Sequence, residues 1–280
     1  MPDQTTLSLQ ALFDRIGTAE APDVIDARTD DDFAADPRLI PAAIRRPGLK
    51  AADWAGGFAG RDVVVYCERG LKISQGAAAW LRHVGARAAS LEGGFQAWRA
   101  GGLPLVPADK LPPRDGQGRT LWVTRSRPKI DRIACPWLIR RFVDPAAVFL
   151  FVTPAEVTAV AERFGATPFD VEGVFWSHRG ALCTFDAMVE VFGLATAPLK
   201  RLATIVRGAD TAQPGLAPES AGLLAASLGL SQIYEDDLAQ LAAGLPLYDA
   251  FYRWLRDAED ETHNWPAVTP EVRDAQRCNA

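Results

Sequence analysis

The sequence lacks the features that define several large classes of protein. No uncharged apolar run reaches the roughly 18 residues that a membrane-spanning helix requires. The first twenty residues hold no basic segment followed by an apolar one, so we expect no secretory signal. The four cysteines form no Cys-x-x-Cys pair, which predicts neither a disulfide framework nor a zinc knuckle. We therefore expect a cytoplasmic protein with reduced thiols, in which a special cysteine is reactive rather than structural.

The chain also has fewer basic than acidic residues. The chain has 30 Lys and Arg residues against 35 Asp and Glu residues, a formal net charge of −5. This balance disfavours a protein that coats nucleic acid, because such a protein needs a basic face, but it leaves a local basic patch open. Hydrophobic residues make up 48% of the chain, which excludes disorder over most of its length.

Proline and glycine are concentrated in residues 103–119, which hold four prolines and two glycines. Because proline removes backbone donors and glycine loosens the chain, we expect no regular element there. A length of 280 residues favours two domains or one large one. The predicted boundaries are a first domain at 1–106, a linker at 107–119, a second domain at 120–270 and a tail at 271–280.

The first domain alternates predicted strands and helices. Residues 62–66 form a continuous apolar strand, which is typical of a parallel sheet with helices on both faces. A helix is predicted at residues 74–84 and another strand at residues 88–91. This alternation predicts a small parallel-sheet α/β domain.

The second domain begins with strands predicted at residues 120–124 and 148–152 and is mainly helical after that. Its last helix is predicted at residues 236–256, with a break near residues 244–246, where a Gly-Leu-Pro sequence stands. The overall prediction is an α/β protein, with the small parallel-sheet domain followed by a helix-rich α+β domain.

Cys67 carries the strongest chemical signal, because it directly follows the buried strand and precedes a glycine-containing loop and a helix. Ligands bind at the carboxyl ends of parallel strands. The loop amides can curl around the sulfur, and Arg69 and Lys72 add positive charge, which together favour a nucleophilic thiolate. A buried, inert cysteine at a strand end is the alternative.

Four ordered motifs surround this cysteine. They are an Asp-x-Arg…Phe pattern at residues 26–33, Leu-Ile-Pro-Ala-Ala at 39–43, Cys-Glu-Arg-Gly-Leu-Lys at 67–72 and Leu-Glu-Gly-Gly-Phe-Gln-Ala-Trp at 91–98. Together they resemble a single-domain rhodanese, a sulfurtransferase module. Independently of that resemblance, we expect Asp26 and Arg28 to form an ion pair that stabilises the fold.

The resemblance implies a thiosulfate-type sulfurtransferase that needs no cofactor and takes a small-molecule sulfur donor and a thiol acceptor. Cys67 would carry the transferred sulfur as a persulfide. The sequence departs from the family pattern, since Leu39 replaces a histidine, Lys72 replaces an arginine, and the expected serine is displaced to Ser74. The substrate-binding loop implied by the resemblance consists of Glu68, Arg69, Gly70, Leu71 and Lys72.

The second domain opens with an unusual stretch at residues 122–142, with six basic side chains between Arg125 and Arg141. Asp131 can cap a helix running to Phe142. Pro136 would cost such a helix about 3 kcal/mol, so the helix either starts near Cys135 or is kinked there. The stretch is either an oxyanion pocket or a solvated basic face with Cys135 in the core. The candidate oxyanion-binding residues are Arg125, Arg127, Lys129, Arg132 and Cys135.

A second cluster of chemically active residues lies at residues 169–186, which contain carboxylates, one histidine and one cysteine. These are ligand types for a first-row transition metal ion. His178, Asp186 and Asp210 are the candidate metal ligands, although their spacing fits no named metal motif. The alternatives are a structural or exposed His178 and an Asp186 that caps a helix or faces solvent.

Long stretches of the second domain resemble the chromate-resistance B-type protein family. They read WVTRSRPKIDRIACPWLIRRF at residues 122–142, FDVEG at 169–173, HRGALCTFD at 178–186, IVRGADT at 205–211 and YDAFY at 248–252. The resemblance implies tolerance of chromate or handling of oxidative and metal stress, with chromate or another oxyanion as a partner.

Three hypotheses follow from the sequence. The first is an enzyme that carries sulfur on Cys67, fused to a domain with a resistance role. The second is a non-catalytic regulator that senses oxidants or chromate through Cys67 and contacts DNA or a partner through the basic stretch. The third is a metal-dependent redox enzyme centred on His178.

Overall fold

The first domain is built on a parallel five-stranded sheet. The computed structural model of the chain describes residues 5–258. The strand order is β1-β6-β5-β2-β4, and β3 pairs antiparallel with β7 outside this sheet. Helices α1 to α5 complete the domain. The strands are β1 Thr6–Leu7, β2 Asp23–Asp26, β3 Arg38–Leu39, β4 Ala43–Arg45, β5 Asp62–Tyr66, β6 Arg87–Leu91 and β7 Val106–Pro107, and the helices are α1 Leu9–Phe13, α2 Asp30–Ala35, α3 Ala51–Trp54, α4 Lys72–His83 and α5 Gly94–Ala100.

Strand β5 is central in this sheet, and its side chains fill both faces. Val63 and Val65 pack into one apolar cluster, whereas Val64 and Tyr66 pack into another. Successive side chains of a strand point to opposite faces, which explains the continuous apolar run in the sequence. The small parallel-sheet α/β domain is therefore confirmed, and helix α4 begins two residues before the predicted start.

The second domain combines a three-stranded parallel sheet, in the order β10-β8-β9, with six helices among residues 5–258. Its helix-rich character is as predicted. Because β8 is central, its carboxyl end meets the loops that follow both neighbouring strands. The strands are β8 Leu121–Arg125, β9 Val148–Val152 and β10 Thr167–Pro168, and the helices are α6 Asp131–Leu138, α7 Val157–Phe164, α8 Thr184–Val191, α9 Ala197–Asp210, α10 Ser220–Ile233 and α11 Asp237–Asp257.

The structure bears on two expectations about prolines in helices. Helix α6 begins at Asp131, contains Pro136 and continues into a π-helical segment, Ile139–Val143, so the alternative in which it starts near Cys135 is wrong. Helix α11 continues through Pro246, so the predicted break is wrong. The packing of α11 explains this, because Gly244 lies directly against Ile133 of α6, where an added Cβ would be 2.7 Å from the Ile133 side chain. Tertiary contact along the helix outweighs the local cost of the proline.

The two domains share one apolar cluster. The N–H of Ala42 donates to the carbonyl of Phe142 at 2.6 Å, and Gly17 lies against the rings of Phe142 and Tyr252. The segment at residues 107–119 connects them with one short 3-10 turn, Ala108–Lys110, and no long regular element. The predicted boundary at residue 270, the tail at 271–280 and Cys278 lie outside the described residues. Within residues 5–258, no helix has both the length and the apolar character needed to cross a membrane.

Candidate functional site

The loop after β5 is locked by two glycines. Gly70 and Gly94 have φ angles of +67° and +59°, in the left-handed region that favours glycine. An added Cβ on Gly94 would lie 2.3 Å from the carbonyl oxygen of Cys67 and 2.3 Å from the nitrogen of Gly70. The N–H groups of Phe95 and Gln96 donate to the carbonyls of Cys67 and Glu68, both at 3.0 Å. The turn between β6 and α5 therefore fixes the backbone around Cys67.

The amides of this loop are not used by the fold. Within residues 5–258, no backbone carbonyl accepts a hydrogen bond from the N–H groups of residues 68–73. Cys67 Sγ lies 3.3 Å from the hydroxyl of Ser74, which also donates to the carbonyl of Leu71 at 3.0 Å. Unpaired amides at the start of α4, together with this hydroxyl, give the surroundings of the sulfur the character of an anion-binding nest.

Cys67 lines a pocket of about 560 Å³. Cys67 itself is only 5% exposed, so it contributes little surface to this pocket. Both charge signs line the pocket, since Arg69 and Lys72 share it with Asp32 and Glu68. One carboxylate oxygen of Glu68 is buried without a hydrogen-bond partner. The lining consists of Asp32, Cys67, Glu68, Arg69, Leu71, Lys72, Ile73 and Gln96.

Asp26 and Arg28 form the predicted ion pair. Arg28 Nη2 lies 2.7 Å from Asp26 Oδ2, and both side chains are fully buried. The guanidinium also donates to the carbonyls of Asp36 and Arg38 and stacks 3.7 Å from the centre of the Phe95 ring. This pair holds the chain that faces the Cys67 loop, and the prediction of a structural role is confirmed.

A second site lies at the carboxyl end of the β8 sheet, where four side chains converge. His178 Nε2 is 3.5 Å from Asp131 Oδ2, 3.5 Å from Asp170 Oδ1 and 3.3 Å from Asp210 Oδ2. Asp131 starts α6, Asp170 follows β10, His178 lies in the loop before α8, and Asp210 ends α9. We call these four residues the carboxylate–histidine cluster.

Asp131 does not cap its own helix, contrary to the sequence prediction. Its carboxylate accepts from the N–H groups of Thr184 at 2.7 Å and Phe185 at 3.4 Å, at the start of α8. Asp131 is completely buried. Burial raises its pKa, against the effect of a hydrogen bond from His178. Asp131 and Thr184 are 53 positions apart, so no local sequence pattern reveals this contact.

Asp170 is held on both of its oxygens. Oδ1 accepts from the Thr184 hydroxyl at 2.9 Å, while Oδ2 pairs with Arg125 Nη2 at 3.1 Å and Arg132 Nε at 3.4 Å. Burial opposes ionisation of this carboxyl, but hydrogen bonds from His178 and Thr184 and the two arginine charges lower its pKa overall.

His178 and Asp210 face the two other carboxylates. Hydrogen bonding to Asp131 and Asp170 raises the pKa of His178 to about 10. Burial, and then repulsion from Asp131 and Asp170, raises the pKa of Asp210 to about 7. The His178 side chain is 42% exposed, so the cluster opens to solvent on the histidine side.

Asp186 is not part of the cluster, which corrects its prediction as a metal ligand beside His178 and Asp210. One of its oxygens accepts from the N–H and the thiol of Cys183, and the other pairs with Arg207 at 2.7 Å. Asp186 therefore caps α8, the role that the sequence left open as its alternative. The pattern of an acidic residue three positions after the helix cap is the signal that identifies this role.

The five oxyanion candidates are not gathered in one open pocket. Arg125 and Arg132 reach the cluster through Asp170, but Arg127 donates to the carbonyls of Ser231, Tyr234 and Glu235 at the end of α10. Cys135 is completely buried, and burial raises the pKa of its thiol well above the usual value. Lys129 is half-buried.

Family models match both halves of the chain. A model described as "Rhodanese-like domain" matches residues 8–101, and one described as "ChrB, C-terminal domain" matches residues 122–255. The first match contains the Cys67 loop, and the second contains all four residues of the carboxylate–histidine cluster. Each match falls within the corresponding predicted domain.

Several individual proteins are similar to parts of this chain. Protein ChrB of Cupriavidus metallidurans is 34% identical over 155 residues, which cover 54% of this chain and 46% of that protein, so the chain spans about half the length of this curated relative. A rhodanese-related protein of Thermoplasma volcanium is 22% identical, with a TM-score of 0.32, over 36% of this chain and 96% of its own. A rhodanese-like domain protein of Staphylococcus aureus is 24% identical, with a TM-score of 0.31, over 34% of this chain and 91% of its own. The chain consists of a rhodanese-like domain followed by a ChrB C-terminal domain.

Proposed function

We propose that the chain is a sulfurtransferase of the thiosulfate type that carries persulfide sulfur on Cys67. The Cys67 thiolate attacks the outer sulfur of the donor, a bond forms between the two sulfurs, and the S–S bond of thiosulfate breaks. Sulfite leaves with the electron pair of that bond. A thiol or cyanide then attacks the outer persulfide sulfur and releases the Cys67 thiolate.

The observation that carries this proposal is the set of unpaired amides at residues 68–73, in the loop that follows Cys67 and lines with it a pocket of about 560 Å³. Amides that the fold leaves free can stabilise the negative charge that develops on the leaving group and on the persulfide. The reduced thiols of a cytoplasm would keep Cys67 available for this cycle.

The charges around the pocket bear on the choice of donor. Lys72 is exposed and supplies a point charge where the family has arginine, so it attracts an anionic donor without gripping it in a bidentate manner. Asp32 and Glu68 partly offset this attraction. We expect a higher KM for thiosulfate than an arginine at position 72 would give, with the chemistry at Cys67 unaffected.

We also propose that the second domain supplies a role in tolerance of chromate or metal stress. A regulator that contacts DNA through the basic stretch is the weaker alternative, because the arginines of that stretch are engaged within the chain. Arg141 forms a bidentate pair with Asp249, and Arg140 donates to the carbonyl of Ala147. Arginines held in this manner are not free to neutralise phosphates.

The substitution Cys67→Ser tests the sulfur-transfer proposal, with Cys135→Ala as the matched control because Cys135 is a fully buried cysteine far along the chain. We expect the wild-type and control proteins to gain the mass of one sulfur atom from thiosulfate and to follow double-displacement kinetics with cyanide. Cys67→Ser should do neither, and a strain that carries it should lose any chromate tolerance that depends on transfer. Transfer that survives Cys67→Ser would refute the assignment.

A further inference from the structure

We propose that the carboxylate–histidine cluster is a binding site for a divalent first-row transition metal ion, with Asp131, Asp170, His178 and Asp210 as its ligands. This site is separate from the Cys67 loop and does not depend on sulfur transfer. It replaces the ligand set expected from the sequence, in which Asp186 stood beside His178 and Asp210.

The distances within the cluster fit a shared ion better than a hydrogen-bonded network. His178 Nε2 lies 3.3–3.5 Å from one oxygen of each aspartate. A single ring N–H cannot donate to three carboxylates at once, and at 3.5 Å the hydrogen bonds of His178 to Asp131 and Asp170 are longer than well-formed charge-assisted ones. Ligands about 2.0–2.1 Å from a tetrahedral ion are separated from one another by about 3.4 Å. Ligand atoms of Asp131, Asp170 and His178 lie within 4.8 Å of one another, and Asp210 Oδ2, 3.3 Å from His178 Nε2, is the candidate fourth ligand.

The positive charge around the cluster is unevenly distributed. Both arginines that reach it, Arg125 and Arg132, contact the same oxygen, Oδ2 of Asp170. Of the cationic side chains in the described part of the chain, only His178 forms an ion pair with Asp131 or Asp210. Asp210 also ends helix α9, where the helix dipole is negative. Three carboxylates around one histidine, two of them buried, repel one another unless enough positive charge lies between them.

A fully buried hydroxyl without a partner lies at the same end of the sheet. Thr124 is completely buried, and its Oγ1 has no hydrogen-bond partner. It shares a strand face with Trp122, whereas Val123 points to the other side. Thr124 directly precedes Arg125, which pairs with Asp170, so it lies at the end of β8 that adjoins the cluster. This unused polar group is what a ligand or its bound water at the cluster would satisfy.

The donor set indicates the class of ion. Carboxylate oxygens suit Mn²⁺, imidazole suits Fe²⁺ and Zn²⁺, and a mixed set suits all three. Soft ions such as Cu⁺ are disfavoured because Cys135 and Cys183, the nearby thiols, are completely buried and Cys183 donates to Asp186. The solvent-exposed side of His178 leaves room for an exchangeable ligand on the ion.

The proposal is tested on the full chain, stripped of metal with a chelator and then titrated separately with Zn²⁺ and with Mn²⁺. We expect one ion per chain by calorimetry, loss of the free Mn²⁺ signal in electron paramagnetic resonance, and a higher Tm in the presence of either ion. Zn²⁺ should bind more tightly than Mn²⁺. Cys67→Ser should bind both ions as the wild type does.

Asp210→Asn separates a metal site from a structural cluster. It keeps the shape of the side chain and removes one of three repelling charges, so the metal-free Tm should stay the same or rise while affinity for Zn²⁺ falls more than about tenfold. A cluster that only stabilises the fold would instead give a lower Tm and no change in ion binding.

His178→Ala and His83→Ala form the matched pair of histidine variants. Both residues have exposed side chains, and His83 ends α4, away from the cluster. Only His178→Ala should lose Zn²⁺ and Mn²⁺ binding, and this result remains available if Asp210→Asn fails to fold. Stoichiometric binding that survives His178→Ala, or a wild-type chain that binds neither ion, would overturn the proposal.

Discussion

Gly94→Ala is the sharpest perturbation of the Cys67 loop, because residue 94 does not line the pocket but touches the loop backbone. Its φ of +59° is strained for alanine. The new Cβ would lie 2.3 Å from the Cys67 oxygen and the Gly70 nitrogen, about 0.7 Å inside the 3.0 Å that Cβ atoms tolerate. Since both neighbours are backbone atoms, the loop has to move.

The expected magnitude follows from the contacts that this movement breaks. The left-handed conformation costs alanine about 1–2 kcal/mol. Loss of the hydrogen bonds from Phe95 to Cys67 and from Gln96 to Glu68 adds about 1 kcal/mol each. The total of about 3–4 kcal/mol is less than the stability of most domains, so the protein should remain folded. A displacement of the nucleophile by roughly 1 Å should lower kcat/KM for sulfur transfer about 100-fold.

Gly102→Ala is the matched control. Gly102 has a φ of +66°, but an added Cβ would meet nothing within 4 Å, so this variant shares the strain and lacks the clash. Stability is measured by urea denaturation, and transfer is measured with thiosulfate and cyanide. We expect Gly102→Ala to lose about 1 kcal/mol and to keep wild-type transfer. The reasoning is wrong if Gly94→Ala transfers sulfur within about threefold of the wild type, or if both variants lose activity equally.

Two further predictions concern the first domain. Ser74→Ala removes the hydroxyl 3.3 Å from Cys67 Sγ and should lower kcat for transfer about tenfold in the thiosulfate assay. Because the same hydroxyl donates to the Leu71 carbonyl, the free energy of unfolding should fall by about 1 kcal/mol. An unchanged kcat would show that the contact with Sγ does not act in the reaction. Arg28→Leu leaves the carboxylate of Asp26 buried without its partner and should lower the free energy of unfolding by about 3–5 kcal/mol. Arg38→Leu, which removes a half-exposed ion pair with Asp36, should lower it by less than about 1 kcal/mol. Equal losses in urea denaturation would contradict the structural role of the buried pair.

Local sequence pattern was sufficient for the elements with strong apolar signals. Strand β5 was predicted with its observed bounds because all of its positions after Asp62 are buried. Strand β4, Ala43–Arg45, was not predicted, because three residues between prolines carry too little periodicity. Helix α11 was predicted with a break at Pro246, since the contact of Gly244 with Ile133 that keeps it continuous is not visible in a local window.

The candidate sites show the same division between local and long-range information. The Cys67 loop is contiguous in sequence, so a motif described it. The carboxylate–histidine cluster joins four separate elements, and only His178 and Asp210 were identified beforehand. Asp131 was interpreted as a cap for its own helix, whereas its carboxylate binds the start of α8 across the fold. The residue types were sufficient to predict metal-ligand chemistry, but which side chains lie close together depends on the packing of α6, α8 and α9.

The backbone directly before Asp131 is strained, and the need to cap a helix does not explain this strain. Ile130 has a φ of +41°, which is costly for a β-branched residue, by about 1–3 kcal/mol. The conformation is held by Ser227, which accepts from the Ile130 N–H at 3.1 Å, and by the Tyr248 hydroxyl, which donates to the Ile130 carbonyl at 2.9 Å. Helix α8 already has a cap in Asp186, so it does not require a strained residue elsewhere to supply another. The strain instead brings the Asp131 carboxylate to His178, which is the arrangement that a metal ion would use.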